Sequence, residues 1–312
     1  MISPDTVFNF VRRLSDTGFE HIEIGHGLGL GAYRKYSSGF TDEELLNAFP
    51  ELLKDKKLFC FFIPYIGEID DLKRAREHGL YGVRIGTEPI YIQKYAGVIE
   101  KAKSMGFFVA LNLMKSYAIE PEKLASYLKS VNEIVDIVYI VDSAGNMTPK
   151  VLKNYISALN ESFGEIRLGF HGHNNLNLSV ANALVAVENG VEFIDTTLGG
   201  IGRSGGNVPT ETMLAVLNKE NCSNNDNMFL ETIEISKKFK EILSIKGRTF
   251  SVREEDIVFG YAGFHSAFET MVKEFTEKKG LDFNKFVIAV SKIEKNELTE
   301  DILSEIANKM NR

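Results

Sequence analysis

Two histidines separated by a single residue are the strongest chemical signal in the sequence. His171 and His173 lie in the run Arg167-Leu-Gly-Phe-His-Gly-His-Asn174, whose apolar and aromatic residues predict a strand. Side chains alternate between the faces of a strand, so Gly169, His171 and His173 share one face. Two imidazoles at this spacing can reach one divalent cation, with only glycines beside them. Taken alone, such a pair is more often an ordinary polar strand end than a metal site, and its place in the repeated pattern described next favours the metal site.

The elements around this pair repeat in a regular way. Seven predicted strands begin near residues 21, 58, 82, 107, 136, 167 and 193, and each interval also holds one predicted helix. Such repetition is typical of a parallel sheet covered by helices, and a long run of units favours a TIM (β/α)8-type barrel. One strand of eight is missing, because the chain opens on a predicted helix that Asp5 caps and Gly18 ends. We predict an α/β barrel over residues 1–218 and a helical C-terminal domain over 228–312.

Composition limits the classes of function. The 312-residue chain is 44% hydrophobic with a formal net charge of −7, and it has no block of Lys and Arg, which argues against nucleic acid or an anionic membrane as a partner. The two cysteines, Cys60 and Cys222, make no disulfide framework and fit a reducing cytoplasm. No apolar run approaches the ~18 residues of a membrane span, and no signal peptide pattern opens the chain.

Polar residues gather where the predicted strands end. In a barrel these carboxyl ends converge on one mouth. A mouth with two histidines and several carboxylates suits a hard or borderline divalent ion. For three of these residues a structural role is an alternative. Asp142 could cap a turn, and Glu23 could be a hydrogen-bonded residue at a strand end. Arg84 could hold the barrel together from inside. The residues concerned are Glu23, His26, Arg84, Asn112, Asp142, Ser143, His171, His173, Asp195 and Thr197.

The segment Gly200-Ile-Gly-Arg-Ser-Gly205 literally matches the G-x-G-x-x-G pattern of dinucleotide-binding enzymes. A nicotinamide-dependent dehydrogenase is therefore an alternative hypothesis. The pattern follows six β/α units instead of opening the fold, no acidic residue ends a strand ~20 residues later, and Pro209 limits where a helix begins. A rim loop or a phosphate cradle explains these glycines as well.

Several segments together resemble the divalent-metal-dependent 4-hydroxy-2-oxovalerate aldolases, in the superfamily of hydroxymethylglutaryl-CoA lyase and isopropylmalate synthase. The resemblance runs in register over nearly the whole chain. It implies a TIM barrel followed by a helical domain, which in relatives docks an acylating aldehyde dehydrogenase. The matching segments are Ile22-Glu-Ile-Gly-His-Gly27, Val141-Asp-Ser-Ala-Gly145, Phe170-His-Gly-His-Asn-Asn175, Leu198 to Asn207, and Gly260-Tyr-Ala-Gly263.

The resemblance also implies roles for individual residues. The family has two tyrosines around an alanine-glycine pair near the C-terminus; Tyr261 matches the first, and His265 replaces the second, which is associated with proton transfer. His265 is then either a proton carrier or a neutral ring packed at a helix contact. The expected cofactor is Mn²⁺, with Mg²⁺, Co²⁺ or Zn²⁺ as alternatives. We predict His265, Tyr261 and Glu23 as catalytic residues, Ser143, His171, Asp142 and His26 as substrate-binding residues, and His171, His173 and Asn207 as metal ligands.

The largest departure from the family is the first strand, which in relatives ends in an arginine–aspartate–glycine motif. That motif supplies a third metal ligand and an arginine that steadies the enolate, and neither is present here. Three explanations stay open: a truncated or misassigned start, a strand supplied by another chain, or loss of the chemistry. The expected reaction is retro-aldol cleavage of a 4-hydroxy-2-oxo acid into pyruvate and an aldehyde. The alternatives are a non-catalytic barrel subunit that binds a dehydrogenase or a homologous chain, and the hydride-transferring enzyme above.

Overall fold

The structure, a computed structural model, describes residues 3–36, 39–164, 166–245 and 251–310. Its centre is one parallel sheet of seven strands that pair in chain order. The predicted number and order of strands and the α/β barrel-type fold are therefore confirmed. The strands are β1 His21–Glu23, β2 Lys57–Phe62, β3 Gly82–Thr87, β4 Phe108–Leu113, β5 Ile137–Asp142, β6 Leu168–Gly172 and β7 Phe193–Ile194.

Helices connect the strands and continue beyond the sheet. Among the residues described, none of them is both long enough and apolar enough to span a bilayer. The helices are α1 Pro4–Asp16, α2 Asp42–Asn47, α3 Leu52–Asp55, α4 Ile69–Glu77, α5 Ile92–Ser104, α6 Pro121–Leu128, α7 Pro149–Phe163, α8 Ser179–Glu188, α9 Thr210–Lys219, α10 Asp226–Ile245, α11 Glu254–Ala262, α12 Glu269–Lys279, α13 Phe283–Ser291 and α14 Glu300–Met310.

Strand alternation divides the buried residues into two sets. On β5, Val138 and Ile140 belong to the large core between sheet and helices, whereas Tyr139 and Val141 belong to a smaller cluster inside the curled sheet. The two edge strands approach across the interior, where the rings of His21 on β1 and Phe193 on β7 lie 5.1 Å apart. No backbone pairing joins β1 to β7 among the described strands, so the sheet has two edges at this point.

Several predicted boundaries need correction. Helix α1 is capped by Ser3, whose Oγ accepts a hydrogen bond from the amide of Thr6 at 3.3 Å, so Asp5 is a first-turn residue and not the cap. Helix α8 begins at Ser179, whose amide donates to the side chain of Asn174 at 3.2 Å. Strand β7 ends after two residues, where the chain leaves the sheet for the glycine-rich loop.

A second apolar core lies in the C-terminal helices. It includes the fully buried Phe259, Val272 and Phe286 and is formed by α11 to α14. Helix α10 instead packs on the barrel: the rings of Phe10 on α1 and Phe239 on α10 lie 5.1 Å apart. The predicted boundary between 218 and 228 therefore needs correction, since it separates α10 from the helices that it contacts.

The C-terminal helices are attached directly to the mouth of the barrel. Asn175, which follows β6, donates to the Asp256 carbonyl at 3.0 Å and to the Ser204 hydroxyl at 2.7 Å. Ser204 in turn donates to the Asp256 carboxylate at 2.8 Å. This buried network holds α11, and the chain that follows it, against the loops after β6 and β7.

Candidate metal and substrate site

The two histidines of the His-x-His pair lie side by side at the carboxyl end of β6. Leu168 and Phe170 point into the large core, so His171 projects from the opposite, inner face. Gly169 precedes it on that face, where the ring of Tyr139 passes so close that a Cβ would lie 2.6 Å away. The rings of His171 and His173 are 5.3 Å apart, close enough for both to reach one ion.

Both rings are held by the same kind of hydrogen bond. Nδ1 of His171 donates to the Asp195 carboxylate at 2.9 Å, and Nδ1 of His173 donates to the Arg203 carbonyl at 3.2 Å. Because these partners accept only, Nδ1 carries a proton in each ring, which leaves Nε2 as the nitrogen that faces away from the protein acceptor. Histidines that bind metals are typically oriented in this way. Burial, together with the nearby His171 and Arg203, lowers the pKa of His173 well below its ordinary value, so this ring is neutral.

Asn207, a predicted metal ligand, lies next to the pair. Its backbone forms an isolated bridge with His173, and its Nδ2 donates to the Ile201 carbonyl at 3.2 Å. Oδ1 of Asn207 is buried and has no hydrogen-bond partner among the described residues. Two imidazole nitrogens and one amide oxygen suit a divalent cation of borderline or hard character. In the described ranges no cluster of three His, Cys, Asp or Glu side chains is arranged for a metal, so the candidate set consists of two histidines and one amide.

A buried arginine joins the two edge strands beneath this site. Nη1 of Arg84 on β3 donates to Glu23 on β1 at 2.6 Å, Nη2 donates to Asp195 after β7, and the guanidinium lies 4.6 Å from the centroid of the Tyr139 ring. Burial alone would lower the pKa of Arg84 and raise that of Asp195. Their mutual attraction reverses both shifts, so the pair is ionised. Arg84 thus has the structural role inside the barrel that its sequence position suggested, since it links Glu23 and Asp195.

Two neighbouring residues at the carboxyl end of β5 face different surroundings. The Ser143 hydroxyl, on the inner side, accepts from the amide of Lys115 at 3.0 Å and retains its own proton for donation. Asp142 points outward and is fully buried, and its oxygens accept from the amides of Asn146 and Met147, both at 3.0 Å. The predicted substrate-binding role of Asp142 is therefore corrected: the carboxylate caps the turn after β5.

Two other predicted residues lie apart from the histidine pair. His26 accepts from the amide of Leu28 at 3.0 Å and lines a crevice with Asp42 and Cys60, so its contacts are with the loop after β1. Tyr261 is 75% exposed on the outer side of α11, and this position is wrong for a proton-transfer residue. The matching segment did not indicate which face of α11 the tyrosine occupies.

His265 does reach the site. It is 9% exposed, and its Nε2 lies 3.1 Å from Nη2 of Arg203, while its Nδ1 faces the amide of Ala267 at 3.2 Å. Burial, with Arg203 and Lys115 nearby, lowers the pKa of His265 to about 2. The ring is therefore neutral at ordinary pH, which favours the packed imidazole over the proton carrier.

Three residues of the mouth were missed by the sequence analysis. Lys115, two residues beyond β4, forms an ion pair of 2.8 Å with Glu88 beyond β3. The hydroxyl of Tyr117 is buried without a partner among the described residues. The rule that strand ends converge would have pointed to Lys115 and Glu88, whereas Tyr117 has no comparable signal.

The glycine-rich loop after β7 is explained by close packing. A Cβ on Gly205 would lie 2.7 Å from the backbone of Asn175, and one on Gly202 would lie 2.6 Å from Asn207. Helix α9 begins only at Thr210, five residues beyond the last glycine of the G-x-G-x-x-G match. These glycines therefore let the loop approach the residues beside His173, and the loop does not lead directly into a helix as the dinucleotide motif does.

Comparison with known proteins agrees with this architecture. The model of the HMGL-like family matches residues 1–245, which include the whole sheet and the histidine pair. The chain belongs to the HMGL-like family. The carbon–carbon lyase class and the aldolase relationship predicted from the sequence are confirmed by this match and by the relatives below.

HMGL-like relatives cover nearly the full chain. The 4-hydroxy-2-oxovalerate aldolase of Geobacillus thermodenitrificans is 31% identical over 98% of this chain and 90% of its own length. The enzyme of the same name from Carboxydothermus hydrogenoformans is 31% identical over 99% of this chain and 92% of its own.

Solved structures of other proteins share the fold. The N-terminal domain of a putative aldolase from Bacteroides vulgatus has a TM-score of 0.74 and 24% identity, over 91% of this chain and 92% of that one. The Bacillus subtilis HMG-CoA lyase has a TM-score of 0.65 and 16% identity, over 82% of this chain and 90% of that one.

Proposed function

We propose that this protein is a divalent-metal-dependent aldolase that cleaves a 4-hydroxy-2-oxo acid to pyruvate and an aldehyde. One observation carries the proposal. His171 and His173 each donate through Nδ1 to a fixed acceptor, and the buried Oδ1 of Asn207 beside them lacks a partner. Three donor atoms are thereby available at the mouth of a barrel related to named aldolases.

A divalent ion held by His171, His173 and Asn207 would supply Lewis-acid polarisation of the 2-oxo group, which is the electron sink that retro-aldol cleavage needs. Mn²⁺ is the ion we expect, with Mg²⁺, Co²⁺ and Zn²⁺ as alternatives. The chain's residues would position the acid and accept a proton. Ser143 retains a hydroxyl proton that it can donate to the substrate.

Cleavage also needs a base for the proton of the 4-hydroxyl group, so that the C3–C4 bond breaks as the aldehyde forms. We assign this role to Glu23. One of its oxygens accepts from Arg84, and the other has no hydrogen-bond partner among the described residues. Arg84 and Asp195 connect Glu23 to His171, so base and ligand belong to one network. His265 is a poorer base than Glu23, because its pKa is lowered and its two ring nitrogens face the N–H donors of Arg203 and Ala267.

The test measures pyruvate release from 4-hydroxy-2-oxovalerate after removal of metal with a chelator and addition of Mn²⁺. Wild-type protein should release pyruvate only with metal, and His171→Ala or His173→Ala should abolish release. Glu23→Gln should lower kcat at least about 100-fold because a general base is lost. Turnover at the wild-type rate in chelator, or in either histidine variant, would overturn the proposal. His78→Ala is the matched control, because this half-buried histidine ends α4 on the outer side of the sheet and bonds there to Arg74 and Asn47.

A further inference from the structure

Arg203 is tied to the candidate site through both its backbone and its side chain. Its carbonyl accepts the Nδ1 proton of His173 at 3.2 Å, and its Nη2 lies 3.1 Å from Nε2 of His265. The residue therefore lies between a proposed metal ligand and the ring that the C-terminal helices bring to the mouth.

The guanidinium of Arg203 has no counter-ion within the described ranges. No carboxylate lies within ion-pair distance of it among the residues that the structure describes, whereas Arg84 in the same barrel is neutralised by Glu23 and Asp195. Burial lowers the pKa of Arg203, and only Tyr117 and Tyr65 oppose this shift, yet a guanidinium remains protonated in proteins. The side chain is nevertheless exposed to solvent, so a ligand can reach this charge.

The contacts of Arg203 leave its donors largely unsatisfied. A guanidinium carries five N–H donors, and the described contact of this one is with a neutral imidazole. That ring has a single lone pair, for which the amide of Ala267 also competes from 3.2 Å. The nearby Tyr117 has a buried hydroxyl without a partner, which adds another unused donor. The second cation of the mouth, Lys115, is already paired with Glu88.

We propose that Arg203 is the anion-recognition residue of this site and binds the carboxylate of the 2-oxo acid. This inference rests on the proposed function for the identity of the acid. A planar guanidinium matches a carboxylate through two parallel charge-assisted hydrogen bonds, which give the pair both strength and a fixed orientation. Arg203 then selects acids over uncharged ketones of the same shape.

The experiment compares binding of pyruvate with binding of pyruvamide, its neutral amide, by ligand-observed NMR on wild-type protein and variants. Arg203→Gln should raise the Kd for pyruvate about 10- to 100-fold, the range expected for a hydrogen bond to a charged group. The Kd for pyruvamide should change less than about twofold. Arg203→Lys keeps the positive charge but loses the planar guanidinium, so its Kd for pyruvate should lie between those of the wild type and Arg203→Gln. Arg12→Gln removes an exposed arginine of α1 and should leave both Kd values unchanged.

Three outcomes would overturn the inference: an unchanged Kd for pyruvate in Arg203→Gln, an equal weakening of both ligands, or no saturable binding of pyruvate to wild-type protein. Binding does not require turnover, so the two proposals fail separately. Wild-type protein that binds pyruvate through Arg203 but releases none from 4-hydroxy-2-oxovalerate would support the anion site and overturn the aldolase.

Discussion

His171 donates its Nδ1 proton to the same carboxylate oxygen of Asp195 that accepts from Arg84. One oxygen therefore connects the His-x-His pair on β6 to the arginine inside the sheet. The ionised carboxylate orients the imidazole and leaves Nε2 as the free nitrogen. Arg84 holds the carboxylate in place from the other side.

Replacing Asp195 with Asn should weaken metal binding while leaving the fold intact. An amide keeps the size but not the charge, and it no longer imposes one tautomer on His171. We expect Mn²⁺ affinity to fall about 10- to 100-fold, as for other partners of metal-binding histidines. Calorimetric titration of the metal-free protein measures this change. Asp70→Asn, at an exposed ion pair with Lys73, is the matched control, and equal affinity in the two variants would contradict the role of Asp195.

Arg84→Met should destabilise the protein strongly. The substitution leaves the carboxylates of Glu23 and Asp195 close together without their shared cation. Breaking a buried ion pair from one side typically costs about 3–5 kcal/mol in the free energy of unfolding, which urea denaturation measures. Adding Glu23→Gln and Asp195→Asn to Arg84→Met should restore part of the loss. A decrease below about 1 kcal/mol would show that the carboxylates do not depend on Arg84.

Acid should destabilise the protein partly through His265. The pKa of this ring is lowered to about 2 in the folded protein, so below pH 6.5 the unfolded chain takes up a proton that the folded chain does not. The free energy of unfolding therefore decreases as the pH is lowered. Between pH 7.5 and pH 5.5 this ring should account for a decrease of about 1.4 kcal/mol. His265→Asn should reduce the fall by that amount in urea titrations at the two pH values. If the free energy of unfolding decreased equally in His265→Asn and in the wild type, the lowered pKa of His265 would be contradicted.

Two glycine substitutions should have opposite effects on stability. Ala at Gly205 would place its Cβ 2.7 Å from the backbone of Asn175, and overpacking of this kind costs about 1–3 kcal/mol. Ala at Gly97, inside α5, meets nothing within 4 Å and should raise the free energy of unfolding by about 0.5–1 kcal/mol. Urea denaturation of both variants checks the difference. A neutral Gly205→Ala would mean that the loop has room to move.

The sequence alone determined the repeating architecture and the position of the histidine pair. Strand alternation put His171 on the inner face of β6, because a period of two leaves no other choice once Leu168 and Phe170 are buried. The same rule applied to β5 would have turned Asp142 outward with Val138 and Ile140. Its assignment to the substrate was thus an error that the sequence itself could have corrected.

Only the tertiary structure decided which charges are neutralised and which remain available. Arg84 meets Glu23 across 61 residues of sequence and Asp195 across 111, and no local pattern encodes such pairings. For the same reason the sequence did not distinguish the exposed Tyr261 from the buried His265. Nor did it distinguish Arg84, which is paired, from Arg203, which has no ion-pair partner in the part of the chain that the structure describes. Periodicity specifies the face of a strand, whereas the partner of a side chain depends on how distant strands and loops converge.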